Sequence, residues 1–336
     1  MPQHNMPKNW QPPAPAWQAN WDNSEDPLVV GYFGIQADSP KLLDAWAQTA
    51  LVGKYAPDKM EQGTYVDKAE VKNYLYIAYW RRSVYQQWLT ADNTSAWWAS
   101  DERLNEGVGY WREIIAMPLD RLETLNSSTQ PHGVSAVADE LEGPIEEHGY
   151  AGGMRDRIPL SENDKLLSNQ KISALNEGLT VASQKLNNGQ RVIVIPPENT
   201  CVIRSGQNWG DCVGEQASFY LKQVHPVLLK GMKYLRDNPI DTQCYSMRFV
   251  DTKANNWTTI SQSFGLGYAA DIYAFENWAK SHPTHLAILD RFMNMVMTFG
   301  ENLQLKLWHE VVVLPKEGCE FEYINCHKNT GLLSYA

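Results

Sequence analysis

Residues 278–314, WAKSHPTHLAILDRFMNMVMTFGENLQLKLWHEVVVL, join a helical pattern to an alternating one. Pro283 suits the first turn of a helix, where its missing N–H is not needed, and Ser281 or Thr284 is a candidate cap. From about Thr284 apolar residues recur at helical spacing. The spacing predicts a helix whose buried face consists of His285, Leu289, Phe292, Val296 and Phe299, with Ile288 and Met295 beside it.

A second pattern follows a predicted turn at Gly300–Asn302. Alternation over residues 303–313 predicts a half-buried strand, with His309 on its apolar face. His285 and His309 would then border the same interior. One buried histidine is commonly a core residue bonded to a carbonyl. Here two histidines lie on consecutive elements, among Met and Phe residues. A ligand or catalytic role is therefore as good an explanation as core packing, because a buried imidazole is costly without a partner.

Length and composition restrict the class of protein. The 336 residues predict two domains, and 43% hydrophobic residues suffice for a substantial core. A formal net charge of -10 without any basic run argues against a nucleic-acid or anionic-membrane partner. Five cysteines without a CxxC pair indicate a reducing cytoplasm. No uncharged apolar run approaches the ~20 residues of a membrane span.

Elements of both types are predicted along the chain. In the first half, strands are expected at 27–36, 74–80 and 109–118, and helices at 41–54 and 84–98. In the second half we expect two strands within 191–207, a long helix at 217–237, strands at 245–251 and 258–268, and a helix at 272–280. The predicted organisation is an extended N-terminal arm (1–26) lying on the body or on a partner subunit, a first domain (27–145) and a second domain (146–336) that carries the site.

The two halves repeat each other. WREIIAMP at 111–118 aligns without a gap on WHEVVVLP at 308–315, and Ile-Ala-Tyr at 77–79 resembles Leu-Gly-Tyr at 266–268. The repeat predicts an α+β protein of two fused ferredoxin-like domains with antiparallel sheets packed face to face. Arg112 of the first copy aligns with His309 of the second, so we expect only the second copy to carry catalytic residues.

The segment between the copies contains two arginines. EEHGYAGGMRDRIP at 146–159 would point Arg155 and Arg157 the same way if it were extended. They are either components of salt bridges or, beside a histidine-lined cavity, a clamp for an anion or a hydroxyl. Residues 160–189 are polar and are expected at the surface.

Several motifs together resemble those of the aldoxime dehydratases, haem b lyases that convert an aldoxime to a nitrile and water. The motifs occur in the family's order: LETL (122–125), EHGYAGGMRDRIP (147–159), VIRSGQNW (202–209), SHPTHL (281–286), LWHEVVV (307–313) and FEYINCHKNTG (321–331). The resemblance implies a fold similar to that of dye-decolourising peroxidases and chlorite dismutases, which agrees with the duplication.

The resemblance also implies roles for five residues. His285 would be the proximal ligand of the haem iron and His309 the distal acid–base group. Ser205 would hydrogen-bond the substrate hydroxyl. Arg157 would support the acid in the distal pocket, and Glu123 would be a further polar residue on the distal side.

The implied cofactor is haem b, ferrous in the active state, and the implied partner is a small-molecule aldoxime whose nitrogen the iron would bind. His309 suits a general acid, because the reference pKa of histidine, about 6.5, lies near working pH. The resemblance also implies a possible homodimer.

Three other readings of the motifs remain open. A haem peroxidase of similar fold would favour a distal Asp/Arg pair. A non-catalytic haem-binding sensor would bind haem without forming nitrile. A zinc hydrolase using His282, His285 and His309 would normally show an HExxH helix, which this chain lacks.

Overall fold

The computed structural model describes residues 5–22, 25–91, 94–173, 178–185 and 189–336. Its strands are β1 (Gln18–Asn20), β2 (Leu28–Gln36), β3 (Lys59–Val66), β4 (Lys72–Arg81), β5 (Gly109–Met117), β6 (Leu122–Asn126), β7 (Glu140–Glu142), β8 (Thr180–Lys185), β9 (Arg191–Ile195), β10 (Cys201–Asn208), β11 (Cys244–Lys253), β12 (Thr259–Ala269), β13 (Lys306–Val313) and β14 (Glu320–Ile324). Its α-helices are α1 (Lys41–Ala50), α2 (Arg82–Thr90), α3 (Thr94–Ala99), α4 (Gly153–Asp156), α5 (Glu215–Phe219), α6 (His225–Asp237), α7 (Pro239–Thr242), α8 (Ile272–Ser281) and α9 (Pro283–Phe299).

Both halves follow the β-α-β-β-α-β order of a ferredoxin-like unit. Neighbouring strands lie in the order β3-β4-β2-β5 in the first half and β11-β12-β10-β13 in the second, and all these pairs are antiparallel. Edge strands β3 and β11 pair with each other, with Thr64 opposite Asp251, so the two sheets are continuous. The predicted α+β fold of two fused ferredoxin-like units is confirmed.

Equivalent side-chain contacts occur in the two halves. An added Cβ at Gly34 of β2 would lie 2.1 Å from the indole of Trp111, and one at Gly206 of β10 would lie 2.1 Å from the indole of Trp308. Only glycine leaves room for these rings, so the predicted equivalence of WREII and WHEVV holds in three dimensions.

The halves also exchange strands beyond these units. β6 follows the last strand of the first half but pairs with β13 of the second. β14 follows the last strand of the second half but pairs with β5 of the first. Residues close to the first unit in sequence therefore complete the sheet of the second unit.

Three apolar layers result from this arrangement. The inner faces of the two sheets meet in a buried core that includes Tyr32, Tyr79, Leu266 and Tyr268. The outer face of the first sheet packs against α1, α2 and α3 through tryptophan and phenylalanine rings. The outer face of the second sheet is covered by α6, α8 and α9.

Some boundaries differ from the sequence-based expectation. The helix expected at 84–98 is two helices, α2 and α3, and residues 92–93 between them lie outside the described ranges. The long helix expected at 217–237 forms α5 and α6, joined by a π-helical turn at Tyr220–Val224. Strands β1, β3, β6, β7, β8 and β14 were not expected, and β8 lies within the segment expected to be polar and at the surface.

The burial expected for the two histidine elements is partly wrong. Leu289 is 46% exposed, whereas the other residues of the predicted face are half-buried and Met295, expected beside them, is fully buried. Because α9 is apolar on several faces, periodicity could not single out the buried one. Residues 309–313 of β13 are buried on both faces apart from His309, because one face meets the first sheet and the other meets the helices. No helix in the described ranges combines the length and hydropathy needed to cross a membrane.

Candidate active site

The candidate active site begins with a pair of directly opposed residues on neighbouring strands. Ser205 of β10 lies opposite His309 of β13 in an antiparallel register. Opposed residues project to the same face of a sheet, so hydroxyl and imidazole share a face. That face is the outer one, toward the helices, because the adjacent Trp308 and Glu310 belong to the inner side. Both side chains are only half-buried.

Glu123 reaches the same face from β6. It lies opposite Val311, two residues along β13 from His309. Its Oε1 lies 3.0 Å from Nε2 of His309, and its side chain is fully buried. The strand exchange therefore places a carboxylate of the first half beside the histidine of the second.

Arg157 completes the cluster from the turn after α4. Its Nε donates to Oε2 of Glu123 at 2.8 Å, and its Nη2 lies 3.0 Å from Nε2 of His309. A third contact runs from Nη1 to the carbonyl oxygen of Glu147 at 2.5 Å. The guanidinium is only 3% exposed, so all three contacts operate away from bulk water.

The two arginines of this segment diverge, contrary to the expectation for an extended segment. Arg155 binds the carboxylate of Glu276 on α8, with the shortest N–O distance 2.6 Å. The difference arises because residues 153–156 form a helical turn, and residues two apart on a helix face different directions.

The electrostatics of the cluster favour an ionised carboxylate. Burial alone would raise the pKa of Glu123, but the charges and hydrogen bonds of Arg157 and His309 outweigh it and hold that pKa below its usual value. When Nε2 of His309 carries a proton it can donate to Glu123, and when it does not it can accept from Arg157. Either form of the imidazole has a partner, which suits a group that gives up a proton and regains it.

One cross-strand row shows what distinguishes the second half. The row is Arg112–Phe33–Tyr76 in the first half and His309–Ser205–Gly265 in the second. In the first half the phenyl ring of this row is packed among indoles, namely those of Trp46, Trp80, Trp88 and Trp98. A hydroxymethyl group and a hydrogen atom replace two rings in the second half. The same face is therefore lined by small groups where the candidate acid–base residues lie.

The apolar core between the second sheet and the helices that cover it is divided into two clusters at the row of Gly265, Ser205 and His309. One cluster includes Val311 and Phe275, and the other includes Met295, with Leu307 packed against it. His309 lies on β13 between Leu307 and Val311, at the division between the two clusters. The division between these two apolar clusters, here called the slot, has Ser205 and Gly265 on the sheet face beside it, and its apolar surroundings fit a flat apolar cofactor such as haem.

His285 is the residue of this layer that could hold an iron. It lies in the first turn of α9, whose N-cap is His282 rather than Ser281 or Thr284. Its Nδ1 is buried without a well-aligned hydrogen bond, and its ring centroid is 4.8 Å from that of Trp278. Burial lowers the pKa of His285, against the opposing effect of the nearby Ala279 carbonyl. A largely buried imidazole whose Nδ1 lacks a well-aligned hydrogen bond fits a haem ligand.

A zinc site receives no support from side-chain grouping. Within the described part of the chain, no three His, Cys, Asp or Glu residues are arranged to hold a metal ion. His282, which that reading required as a ligand, instead has its Nδ1 2.8 Å from Oγ1 of Thr284.

The structure thus brings together four of the five residues suggested by the sequence: Glu123, Arg157, Ser205 and His309 lie on or beside one sheet face, with His285 in the helix layer over it. The carbonyl of Glu147 was missed, since a backbone acceptor leaves no signal in the sequence. The support that Trp278 gives His285 was also missed, although the two residues are two helical turns apart in sequence.

Comparison with known sequences identifies the class of protein that carries this fold and this polar cluster. The profile of the haem-containing dehydratase family matches residues 31–332, so the chain belongs to that family. It is therefore a lyase that carries haem, as the sequence motifs predicted.

Individual relatives carry more specific names than the family. An aliphatic aldoxime dehydratase of Pseudomonas chlororaphis is 36% identical over 336 residues, which cover 98% of this chain and 93% of that protein. A phenylacetaldoxime dehydratase of Bacillus sp. (strain OxB-1) is 33% identical and covers 98% and 94%. A crystal structure of an aldoxime dehydratase in complex with butyraldoxime has a TM-score of 0.90 at 33% identity, covering 99% of this chain and 92% of that one.

Proposed function

We propose that this enzyme dehydrates aldoximes, R–CH=N–OH, to nitriles and water. The observation that carries the proposal is the Glu123–Arg157–His309 cluster, which faces the hydroxyl of Ser205 at a division in the core of a haem-containing dehydratase. The relatives named as aldoxime dehydratases, aligned over nearly the whole chain, identify the substrate class.

Within this proposal His285 would hold the iron from the helix layer. When bound, ferrous haem b would supply an electron-rich Lewis centre for the oxime nitrogen. The residues on the sheet face then have to protonate the oxime hydroxyl, which is otherwise a poor leaving group.

His309 supplies that proton. A ring N–H of the His309 imidazole is transferred to the oxime hydroxyl, the N–O bond breaks and water leaves. The ring nitrogen that gave up the proton then accepts the proton on the oxime carbon as the C≡N bond forms, so the imidazole returns to its starting state. A positioned acid–base group of this kind contributes about 10²–10⁴-fold to a rate.

Three residues assist His309 in this scheme. The carboxylate of Glu123 accepts from the protonated imidazole, and Arg157 donates to the deprotonated one, so both states are stabilised in turn. Ser205, directly across the strand pair, orients the N–OH group toward Nε2. Ser205 takes no proton in this scheme, so its removal is expected to cost less than removal of His309.

The first test is spectroscopic and separates the two histidines. His285→Ala should purify with little haem, because it loses the iron ligand. His309→Ala should keep the haem absorption and the shift on adding an aldoxime anaerobically after dithionite, but lose turnover by about 10²-fold or more. Ser205→Ala should show a smaller loss.

Each result can contradict part of the proposal. Full haem retention in His285→Ala with an unchanged spectrum would remove His285 as the ligand, and near-normal kcat in His309→Ala would remove His309 as the acid. Haem binding without nitrile would favour a sensor, and rapid guaiacol oxidation with peroxide would favour a peroxidase.

A further inference from the structure

The N-terminal arm, defined here as residues 5–19, runs over the two elements that carry the charged members of the cluster. It contacts the segment 147–157, which ends at Arg157, and it contacts β6, which carries Glu123. These elements are separated in sequence, and both the cluster and the arm connect them.

Contacts to the first element are polar and close-packed. The backbone N–H and the Nδ2 of Asn5 donate to the Asp156 carboxylate at 2.8 and 2.7 Å, and the hydroxyl of Tyr150 donates to it at 2.9 Å. Trp10 donates from Nε1 to the carbonyl oxygen of His148 at 2.9 Å. The arm therefore binds Asp156, the residue before Arg157, and His148, the residue after Glu147. The carbonyl oxygen of Glu147 in turn accepts a hydrogen bond from the Arg157 guanidinium.

Two glycines make this approach possible. Gly149 and Gly152 have φ values of 79° and 97°, which L side chains rarely adopt. A Cβ at Gly149 would lie 2.6 Å from Pro13, and one at Gly152 would lie 2.5 Å from Asn5. The segment is thus shaped to receive the arm.

Contacts to the second element are backbone hydrogen bonds. Trp17 and Asn126 exchange two of them, at 2.9 and 2.8 Å, and the N–H of Ala19 donates to Oγ1 of Thr124 at 2.7 Å. β6 is the outermost strand beside β13, so the arm binds an edge that would otherwise offer unpaired groups. Glu123 lies one residue from Thr124 and three from Asn126.

We propose that the arm is a positioning element for the acid–base cluster, holding Arg157 and Glu123 at the distances that His309 requires. The segment needs such support because α4 is a single turn of four residues, and a helix that short has no stability of its own. The inference rests on the proposed role of Arg157. A displacement of about 1 Å in a catalytic group can lower a rate about 10²-fold.

The test is a double-mutant cycle between the arm and Arg157. Trp10→Phe keeps an aromatic ring but removes the Nε1 donor and part of the indole, and Asn5→Ala removes one side-chain donor. A chain lacking residues 1–14 removes the whole contact with the Arg157 segment but keeps Trp17. Each change is made in the parent and in an Arg157→Ala background. Trp257→Phe is the matched control, because it removes an indole bond to Asp44 in the first half.

We expect the arm changes to lower kcat about 10-fold or more in the parent, with haem content and oxime Kd unchanged. In the Arg157→Ala background they should have no further effect on kcat, since the group they position is gone. Equal fold losses in both backgrounds, or no loss in the parent, would overturn the proposal. Normal kcat in Arg157→Ala alone would overturn it too, by removing the role on which it rests.

A second readout does not depend on turnover. In the holoprotein lacking residues 1–14, amide hydrogen exchange should accelerate in 147–157 and stay unchanged in α1, which the arm does not touch. Unchanged protection in 147–157 would refute the arm's role even if activity fell. If the parent makes no nitrile from any aldoxime, the proposed function fails by itself, and the exchange result still decides whether the arm holds the segment.

Discussion

Replacing Glu123 by Gln tests the acid–base cluster most directly. The two side chains have nearly the same shape, so the change removes charge and leaves the packing. Glu123 is fully buried and accepts from Nε of Arg157 at 2.8 Å. In the variant the Arg157 side chain, which is only 3% exposed, loses its counter-ion, and the protonated form of His309 loses the charged acceptor that lies 3.3 Å from its Nε2.

Both stability and turnover should fall. Removing one partner of a buried ion pair costs about 3–5 kcal/mol, because the remaining charge stays buried without compensation. We expect a loss of unfolding free energy in that range and, because the imidazolium form loses its stabilising carboxylate, a fall in kcat of about 10²-fold. Haem content should be unchanged, since His285 is on the other side of the slot.

The stability difference should depend on pH in one direction. The pKa of Glu123 is lowered in the folded enzyme, so the stabilisation it gives is present above the unfolded-state pKa of about 4.3. It is lost as the pH falls through the lower folded-state pKa. Urea unfolding of parent and variant between pH 7 and the acid limit of solubility should therefore show the two curves converging below about pH 4.

Glu276→Gln is the control for this experiment. It removes the carboxylate of a second arginine pair, with Arg155, whose two side chains are 17–18% exposed. We expect a smaller loss than in Glu123→Gln, because both side chains of this pair are partly exposed to water, and an unchanged kcat. A Glu123→Gln enzyme that keeps full activity, or a stability difference that stays constant down to the lowest pH, would refute the ion-pair reasoning.

Three further changes test other parts of the structure. Ser205→Phe restores the ring that the first half has at this row and should abolish haem retention while circular dichroism stays normal; a haem-replete variant would contradict the slot. Gly206→Ala forces a Cβ to 2.1 Å from the Trp308 indole and should cost about 1–3 kcal/mol with loss of kcat, whereas Gly34→Ala should destabilise similarly and spare kcat. Thr284→Val removes the acceptor of Trp278 Nε1, which lies at 3.0 Å, and should shift the ferrous haem spectrum, with Thr284→Ser restoring it; an unshifted spectrum would show that Trp278 does not orient His285.

Local patterns predicted the elements around the site well. Pro283 does begin α9, and the alternation after Gly300 does become β13, with His309 on the side that faces the helices. Such features depend on neighbours within one or two turns, which is the range that periodicity and proline report. The ungapped WREII and WHEVV match also predicted the duplication correctly.

Local patterns failed where several solutions were equally good. α9 has apolar residues around most of its circumference, so Leu289 was expected to be buried and is exposed, while Met295 is buried. Ser281 and Thr284 are ordinary caps, and His282 takes the position instead, because its Nδ1 accepts from the Thr284 N–H. In both cases the packing of a neighbouring element selected among alternatives that the sequence leaves open.

The sequence by itself determined the repeated unit, the two histidines on adjacent elements and, through its motifs, the haem-containing dehydratase family. Only the tertiary structure decided that Glu123, which belongs to the first half of the chain, lies 3.0 Å from His309 in the second. That contact depends on β6 pairing with β13, strands more than 180 residues apart. No periodicity within a short stretch of sequence can indicate such a pairing, because the pairing depends on which sheet edge is free to accept another strand.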